Sequence, residues 1–536
     1  MEKITITNFR KIKETWELNL APITFLTGTN NSGKSSVMKA LMLLDGFGNS
    51  KNHFILNFNQ KHSRNHKIDC FSNAINRENL KGKLFDIKFS IENKNFNINY
   101  IFYPYQENDS MFEKGKLKLI EFINKEDSSV LNIKNITGDD YQLTIDNSFI
   151  NGKYQDDDTS NLGEEVEVFL KYKIEIESDL KNNESILKEL DETGVDRIHR
   201  LNLIKSLKEK LKDVNKQIKK IDTKKTKDVL QFNPTFSLNE FEGQESLDRI
   251  LRRVLNKYFR DNEKKIGLTN SNSEMFRISL LADNILDSLN LSISHLTPNR
   301  NTQTRLYVND NGNNDIYDII KSISEISIKK RSEADIFIKK WMSKDFFDIG
   351  EDYDIKSIEG LASKIEIKEN GYWINLVDKG FGAGQIFTIL LRIADVINQE
   401  FTKNNQRTYR RLRKATPIIL IEEPEANLHP AFQSRLAELF LETWKEYGIQ
   451  FIVETHSEYI IRKSQLLFVD YANPQESLLP AMRIQHNPFV VYYFDKNGPY
   501  EMKYKNDGSF NKPFGEGFLD VVDDIALEIF LKNNRQ

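Results

Sequence analysis

The residues with the most evident chemistry lie at 28–35, in the segment GTNNSGKS. Gly28 and Gly33 let the backbone curl until its N–H groups converge on phosphate oxygens. Lys34 puts a cation on the β- and γ-phosphates of a nucleotide, and Ser35 offers its hydroxyl to Mg²⁺. Asn30, Asn31 and Ser32 complete the loop, and Ser36 leads it into a helix whose N-terminus adds a positive dipole end. The pattern implies ATP or GTP with Mg²⁺.

A second segment, PIILIEEPEANLHP at 417–430, runs apolar and then ends in two acids. Glu422 is placed to hold the metal, directly or through water. Glu423 is placed to polarise an attacking water as a general base. A third segment, IQFIVETHSEYII, ends an apolar run at His456, which can bond the γ-phosphate or the lytic water. Lys34, Glu423 and His456 are therefore the candidate catalytic residues. A glycine-rich turn, GFGAGQ at 380–385, precedes a helix expected to start near Ile386 and offers a second anion site through Gly382, Gly384 and Gln385. One nucleotide does not need two γ-phosphate sites in one chain. The economical reading is a head-to-tail dimer in which this turn caps the nucleotide held by the other copy. Asn124-Lys125-Glu126-Asp127 fits a guanine-reading pattern, but no metal-switch element lies between it and the P-loop, and it reads as a hairpin turn.

Positioning these residues requires particular elements. ITFLTG is a buried strand that feeds the phosphate loop, and SSVMKALMLLDGF follows with helical apolar spacing. PIILIEE and IQFIVETHS read as further buried strands separated by the helix AFQSRLAELFLETWKEY. Residues from about 84 to 150 alternate as short strands with Asn-, Asp- and Gly-rich turns, an antiparallel meander. Over about 163–226 the apolar residues fall on a 3-4 repeat in two arms, which predicts an antiparallel coiled-coil hairpin. Each arm would be about 45 Å long at 1.5 Å per residue. The fold class is α/β, a P-loop nucleoside-triphosphatase head with a mixed sheet and an antiparallel β-subdomain, and with an inserted helical/coiled-coil hairpin. The expected divisions are 1–160 (N-terminal lobe), 161–230 (hairpin), 231–345 (helical insertion) and 346–536 (C-terminal lobe).

With 536 residues the chain is too long for one simple domain, and its 76 Lys+Arg against 79 Asp+Glu give no global attraction to nucleic acid. Local basic clusters at 61–67 (KHSRNHK) and 407–414 (RTYRRLRK) are candidate DNA or RNA contacts. Cys70 is the single cysteine, so no intrachain disulfide or cysteine-rich zinc site is available. No apolar run of the length needed to cross a bilayer and no secretory leader are legible, and the expected compartment is the cytoplasm.

At GTNNSGKS, IEEPEANLHP, ETHSEYII and GFGAGQ, taken in their order along the chain, the sequence resembles the ABC-type ATPases of the SMC, RecF and overcoming-lysogenization-defect group. The opening ITNFRKIKETWELNL resembles that group's first hairpin. The resemblance implies ATP hydrolysis with Mg²⁺ in composite sites of a dimer, and a coiled coil emerging from the head. The HLTPNRNTQTRLY and YYFDKNG…FGEGFLD stretches are similar to the PtuA-type ATPases of bacterial anti-phage (Septu and retron-associated) systems, which implies a separately encoded effector such as an HNH nuclease. Two departures stand out. The metal carboxylate is Glu422 where Asp is common, and the signature position holds Gly382 or Gly384 where a serine hydroxyl is usual. Two alternatives stay open: a DNA repair or maintenance ATPase, and an ATP-gated scaffold with little turnover.

Overall fold

Burial of the apolar runs on both faces dictates a central parallel sheet. The computed structural model describes residues 1–58, 68–105, 113–146, 149, 204–208, 211–212, 231–241, 246–266, 271–298, 304–308, 331–358, 362–406, 416–472 and 487–515. Its core sheet contains β1 (Ile23–Gly28), β2 (Ile293–Leu296), β3 (Ile418–Glu422), β4 (Gln450–Glu454), β5 (Phe489–Asp495) and β6 (Gly498–Glu501). The spatial order is β2-β3-β4-β1-β5-β6. All neighbours are parallel except β6, which pairs antiparallel with β5. β1 is buried at every position and the strand residues of β4 likewise, as a sheet covered on both faces requires.

The helices are α1 (Lys34–Gly48), α2 (Leu247–Ile266), α3 (Ser271–Leu289), α4 (Glu333–Met342), α5 (Phe381–Gln406), α6 (Pro430–Tyr447) and α7 (Glu458–Ala472). The core joins α4, α5 and α6 to the sheet through Phe337, Trp341, Phe387, Leu390, Phe440 and Phe451. α6 shows why such a segment is helical. Pro430 stands at its first position, the His429 side chain accepts from Ala431 N–H, and Gly448 ends it at φ +68°. The meander is also as expected. Strands Ile87–Glu92, Phe96–Tyr105, Lys114–Asn124 and Val130–Thr137 pair antiparallel in sequence, and Lys3–Thr7 extends the sheet to Trp16–Asn19. Asn124–Asp127 is indeed a hairpin turn, closed by Ser128 N–H to Asn124 O and Glu126 N–H to Asn124 Oδ1. A smaller antiparallel sheet holds Tyr307–Val308, Asp352–Ile358, Ala362–Glu369 and Tyr372–Asn375.

Three expectations are corrected. The segment 231–345 is not a purely helical insertion, because β2 within it pairs in parallel with β3, from Ile293↔Ile418 to Leu296↔Ile421. Four residues, ISHL, are too few to show a strand period, so only the pairing reveals it. The GFGAGQ turn is not ahead of its helix: α5 starts at Phe381, so Gly382, Gly384 and Gln385 occupy its first turns. Finally, Phe381–Gln399 is long and apolar enough to cross a bilayer, but 78% of that window is buried inside the protein, which makes it the central helix of the core.

The chain divides into two units, Met1–Thr144 with Asn233–Gln536, and Ile145–Phe232. In the second, Gln231–Phe232 pairs antiparallel with Ile145–Asp146, and residues 204–208 and 211–212 are helical. The rest of the expected hairpin, both basic clusters and the expected closing helix lie outside the described residues.

Candidate functional site

Parallel strands deliver their C-terminal ends to one edge of a sheet, and the loops after β1, β3 and β4 open there together. Gly28 ends β1 at φ +126°, and a Cβ there would stand 2.2 Å from Phe494 O, so only glycine fits. Gly33 at φ +111° caps α1 without any side-chain bond to the helix's first N–H groups, and Trp16 blocks a Cβ at this position too. Asn31 takes φ +60° inside the loop, and Ser32 Oγ bonds Thr29 O at 2.7 Å. Asn30 completes the exposed crest. Ser36, in the first turn of α1, is buried. The result is a tight glycine-bent loop that runs directly into the N-terminus of α1, the kind of backbone a phosphate site needs.

Lys34 is 3% exposed, and its Nζ donates to Gly28 O at 3.1 Å and Thr29 O at 2.9 Å. Burial lowers its pKa, while Glu454 and then Glu423 oppose that shift, so both carboxylates act on it. Ser35 Oγ donates to Glu454, at 3.1 Å to Oε2 and 3.3 Å to Oε1. Glu454 pairs in register with Glu422 across β4 and β3. Burial first, and the Glu422 charge second, push the Glu454 carboxyl up to about 7. Glu422 in turn accepts from His295 Nε2 at 2.9 Å.

Glu423 follows β3 at φ +48°, a backbone conformation that a side chain this long seldom takes. Its N–H is fixed to Glu454 O at 2.8 Å, and Ala426 N–H closes a turn onto its carbonyl. The carboxylate is exposed at the mouth of the site. His456 is also exposed at its surface, and partial desolvation of its ring, then the Lys34 charge, lower its pKa and favour a neutral imidazole. Glu425 ties the two loops together by accepting from Thr455 Oγ1 at 2.8 Å and His456 N–H at 2.6 Å.

The structure thus assembles Lys34, Ser35, Glu422, Glu423 and His456 at one edge. It does not present the α5 residues as expected. Gly384 and Gln385 are buried, and both amide atoms of Gln385 lack a partner among the described residues. Starting the helix at Phe381 turns Gln385 inward. Phe381 and Gly382 remain accessible, with Gly382 lying against Asn427 O of the loop after β3. Sequence reasoning missed Glu454 and His295. Glu454 was visible as an acid ending a buried strand beside the first; His295 opens the HLTPNRNTQTRLY stretch, but its strand is too short to show that it reaches Glu422.

The residues fit a nucleotide with Mg²⁺. Among the described residues no three His, Cys, Asp or Glu side chains group to hold a metal unaided. Mg²⁺ prefers one or two carboxylates, a hydroxyl and phosphate oxygens, and Ser35 with Glu422 would supply the protein's share.

The family model of the AAA ATPase domain matches residues 1–461. An uncharacterised protein of Methanocaldococcus jannaschii is 32% identical over 92 residues, which is 16% of this chain and 27% of that protein, so the chain spans about a quarter of this curated relative. Among solved structures, the Smc head domain with an extended coiled coil from Pyrococcus furiosus, bound to the C-terminal domain of ScpA, is 13% identical, with 98% of this chain and 99% of that chain covered and a TM-score of 0.31. The SMC head domain of Thermotoga maritima is 8% identical, with 94% and 98% covered and a TM-score of 0.30. The recombination mediator RecF is 12% identical, with 94% and 98% covered and a TM-score of 0.25.

Proposed function

We propose a function from this premise: the chain belongs to the AAA ATPase domain family. It binds ATP with Mg²⁺ at the edge formed by β1, β3 and β4 and hydrolyses it. The observation that carries this reading is the convergence of Lys34, Ser35, Glu422, Glu423 and Glu454, three loops apart in sequence, on one strand edge. The P-loop N–H groups and Lys34 bind the phosphates, with Lys34 leaving the carbonyls of Gly28 and Thr29. Ser35 and Glu422 would hold Mg²⁺, which when bound would neutralise charge on the phosphates. Glu423 takes a proton from the water that attacks the γ-phosphorus, as the bond to the ADP oxygen breaks. His456, neutral near pH 7, bonds the γ-phosphate or that water. ATPase rates test these roles. Glu423→Gln and His456→Ala are each expected to lower the rate, and equal rates in wild type and both variants would refute the assignment.

The ATP-bound chain acts as a head-to-tail dimer, a switch subunit of a cytoplasmic anti-phage complex that controls a separate effector such as an HNH nuclease. The motif resemblance supports this reading, as does the exposed start of α5 beside Gly382. The lobes 1–160 and 346–536 form the ATPase head, 161–230 the hairpin that meets a partner, and 231–345 the connection, which contributes β2. Loops 61–67 and 407–414 contact DNA or RNA; clustered alanines that leave binding and its salt slope unchanged would remove them. A gene for an HNH nuclease or reverse transcriptase beside this one would favour defence. Structural action on DNA without an effector would favour a RecF- or SMC-like maintenance role. The absent signature hydroxyl keeps a low-turnover scaffold as the other reading.

A further inference from the structure

Across the strand ends of β2, β3, β4 and the start of α1 runs one lateral series of polar groups. His295 donates to Glu422, Glu422 lies in register beside Glu454, and Glu454 accepts from Ser35. Glu422 is thus flanked by a second carboxylate on one side and by an imidazole on the other. In the sheet His295 stands opposite Leu420, two residues before Glu422, so both side chains share a face. The ring is 8% exposed, and its Nδ1 is buried without a partner among the described residues. The Nε2 contact to Glu422 is therefore the ring's one hydrogen bond among the described residues.

We infer that His295 is a positioning residue for the metal carboxylate: its Nε2–H fixes one oxygen of Glu422 and so orients the carboxylate toward the Mg²⁺ that accompanies ATP. The inference rests on the ATPase reading above. The physical need is specific. Glu422 is only 17% exposed and lies beside Glu454, so a donor on its other side helps set which way its carboxylate faces. A donor on the far side holds one carboxylate oxygen and leaves the other to face the cation.

The test uses the full-length protein carrying Glu423→Gln, so that ATP is bound but not turned over, and titrates Mg²⁺ while ATP affinity is measured by calorimetry. His295→Leu removes the donor. His295→Gln retains one through its amide. The expected result is a rise in the Mg²⁺ half-saturation of about 10–100-fold for His295→Leu, the usual effect of losing such an outer partner. ATP affinity in EDTA should stay unchanged, and His295→Gln should recover most of the loss. If the leucine variant does not fold by thermal melting, His295→Phe, which keeps a ring and removes both nitrogens, takes its place. Unchanged Mg²⁺ dependence in a folded donor-free variant overturns the inference. So does an equal loss in His295→Gln, which would make the residue a packing group. Absence of Mg²⁺-dependent ATP binding with His295 intact would instead bring down the ATPase reading itself.

Discussion

At the scale of single residues, two positions carry opposite kinds of information. Glu423 takes a left-handed backbone conformation and remains exposed, the kind of strain that accompanies a functional role. Glu423→Gln is expected to reduce kcat by about 10²–10⁴-fold, the contribution of a positioned general base, with little change in ATP affinity. Steady-state ATPase assays with nucleotide titration check both parts. Gln385 is the reverse case. Its motif position predicts a part in the second anion site, yet it is fully buried and its amide lacks partners among the described residues. An unpaired buried amide costs stability, so Gln385→Leu should leave the fold intact and change its stability by about 1–2 kcal/mol in the favourable direction, read by chemical denaturation. A residue-type pattern can identify a loop that binds phosphate, because the backbone curl needs glycine. It cannot say which way a helical glutamine faces when the helix start is misplaced by one turn.

At the scale of elements, the strand–loop–helix from β1 to α1 is fixed at both ends. Gly28 meets Phe494 O so closely that Gly28→Ala should destabilise the protein by about 2–3 kcal/mol, even without nucleotide. A lower melting temperature of the nucleotide-free variant checks this. At the other end, Asp45 of α1 accepts from Ile293 N–H at 3.3 Å, joining the P-loop helix to the start of β2. Burial pushes the Asp45 carboxyl up from 3.8 to about 6, against the bonds from Ile293 and Asn49. The folded state therefore binds the extra proton between about pH 4 and 6. Stability should fall as pH rises across that window and level off above it. Asp45→Asn, which cannot titrate, should gain on the wild type by up to about 3 kcal/mol as pH rises to 7, and the gain should vanish near pH 4. Melts across that pH range measure it. The meander and the NKED hairpin turn were legible because strand alternation and Asn/Asp turn chemistry are local signals. β2 was not, because its place beside β3 depends on residues more than a hundred positions away.

At the scale of the whole molecule, the proposed closure of two copies around ATP has a specific surface to test. Phe381 is 60% exposed at the start of α5. In the Glu423→Gln background, ATP should convert monomers into dimers by light scattering. Adding Phe381→Glu should block that conversion without lowering the melting temperature. ATP-independent size in both proteins would remove the head-to-tail dimer.

The sequence by itself determined the nucleotide chemistry. Phosphate binding needs glycine, lysine and a hydroxyl at fixed spacing along one loop, and the acids that serve it end apolar runs that can only be buried strands. It also determined the antiparallel meander, whose signals are local. Only the tertiary structure decided that β2 joins the core sheet, that His295 reaches Glu422, that Glu454 stands between Glu422 and Ser35, and that Gln385 turns inward. The reason is physical. Strand order and helix facing are set by which surfaces bury one another across long separations, and that competition leaves no spacing to read in the chain.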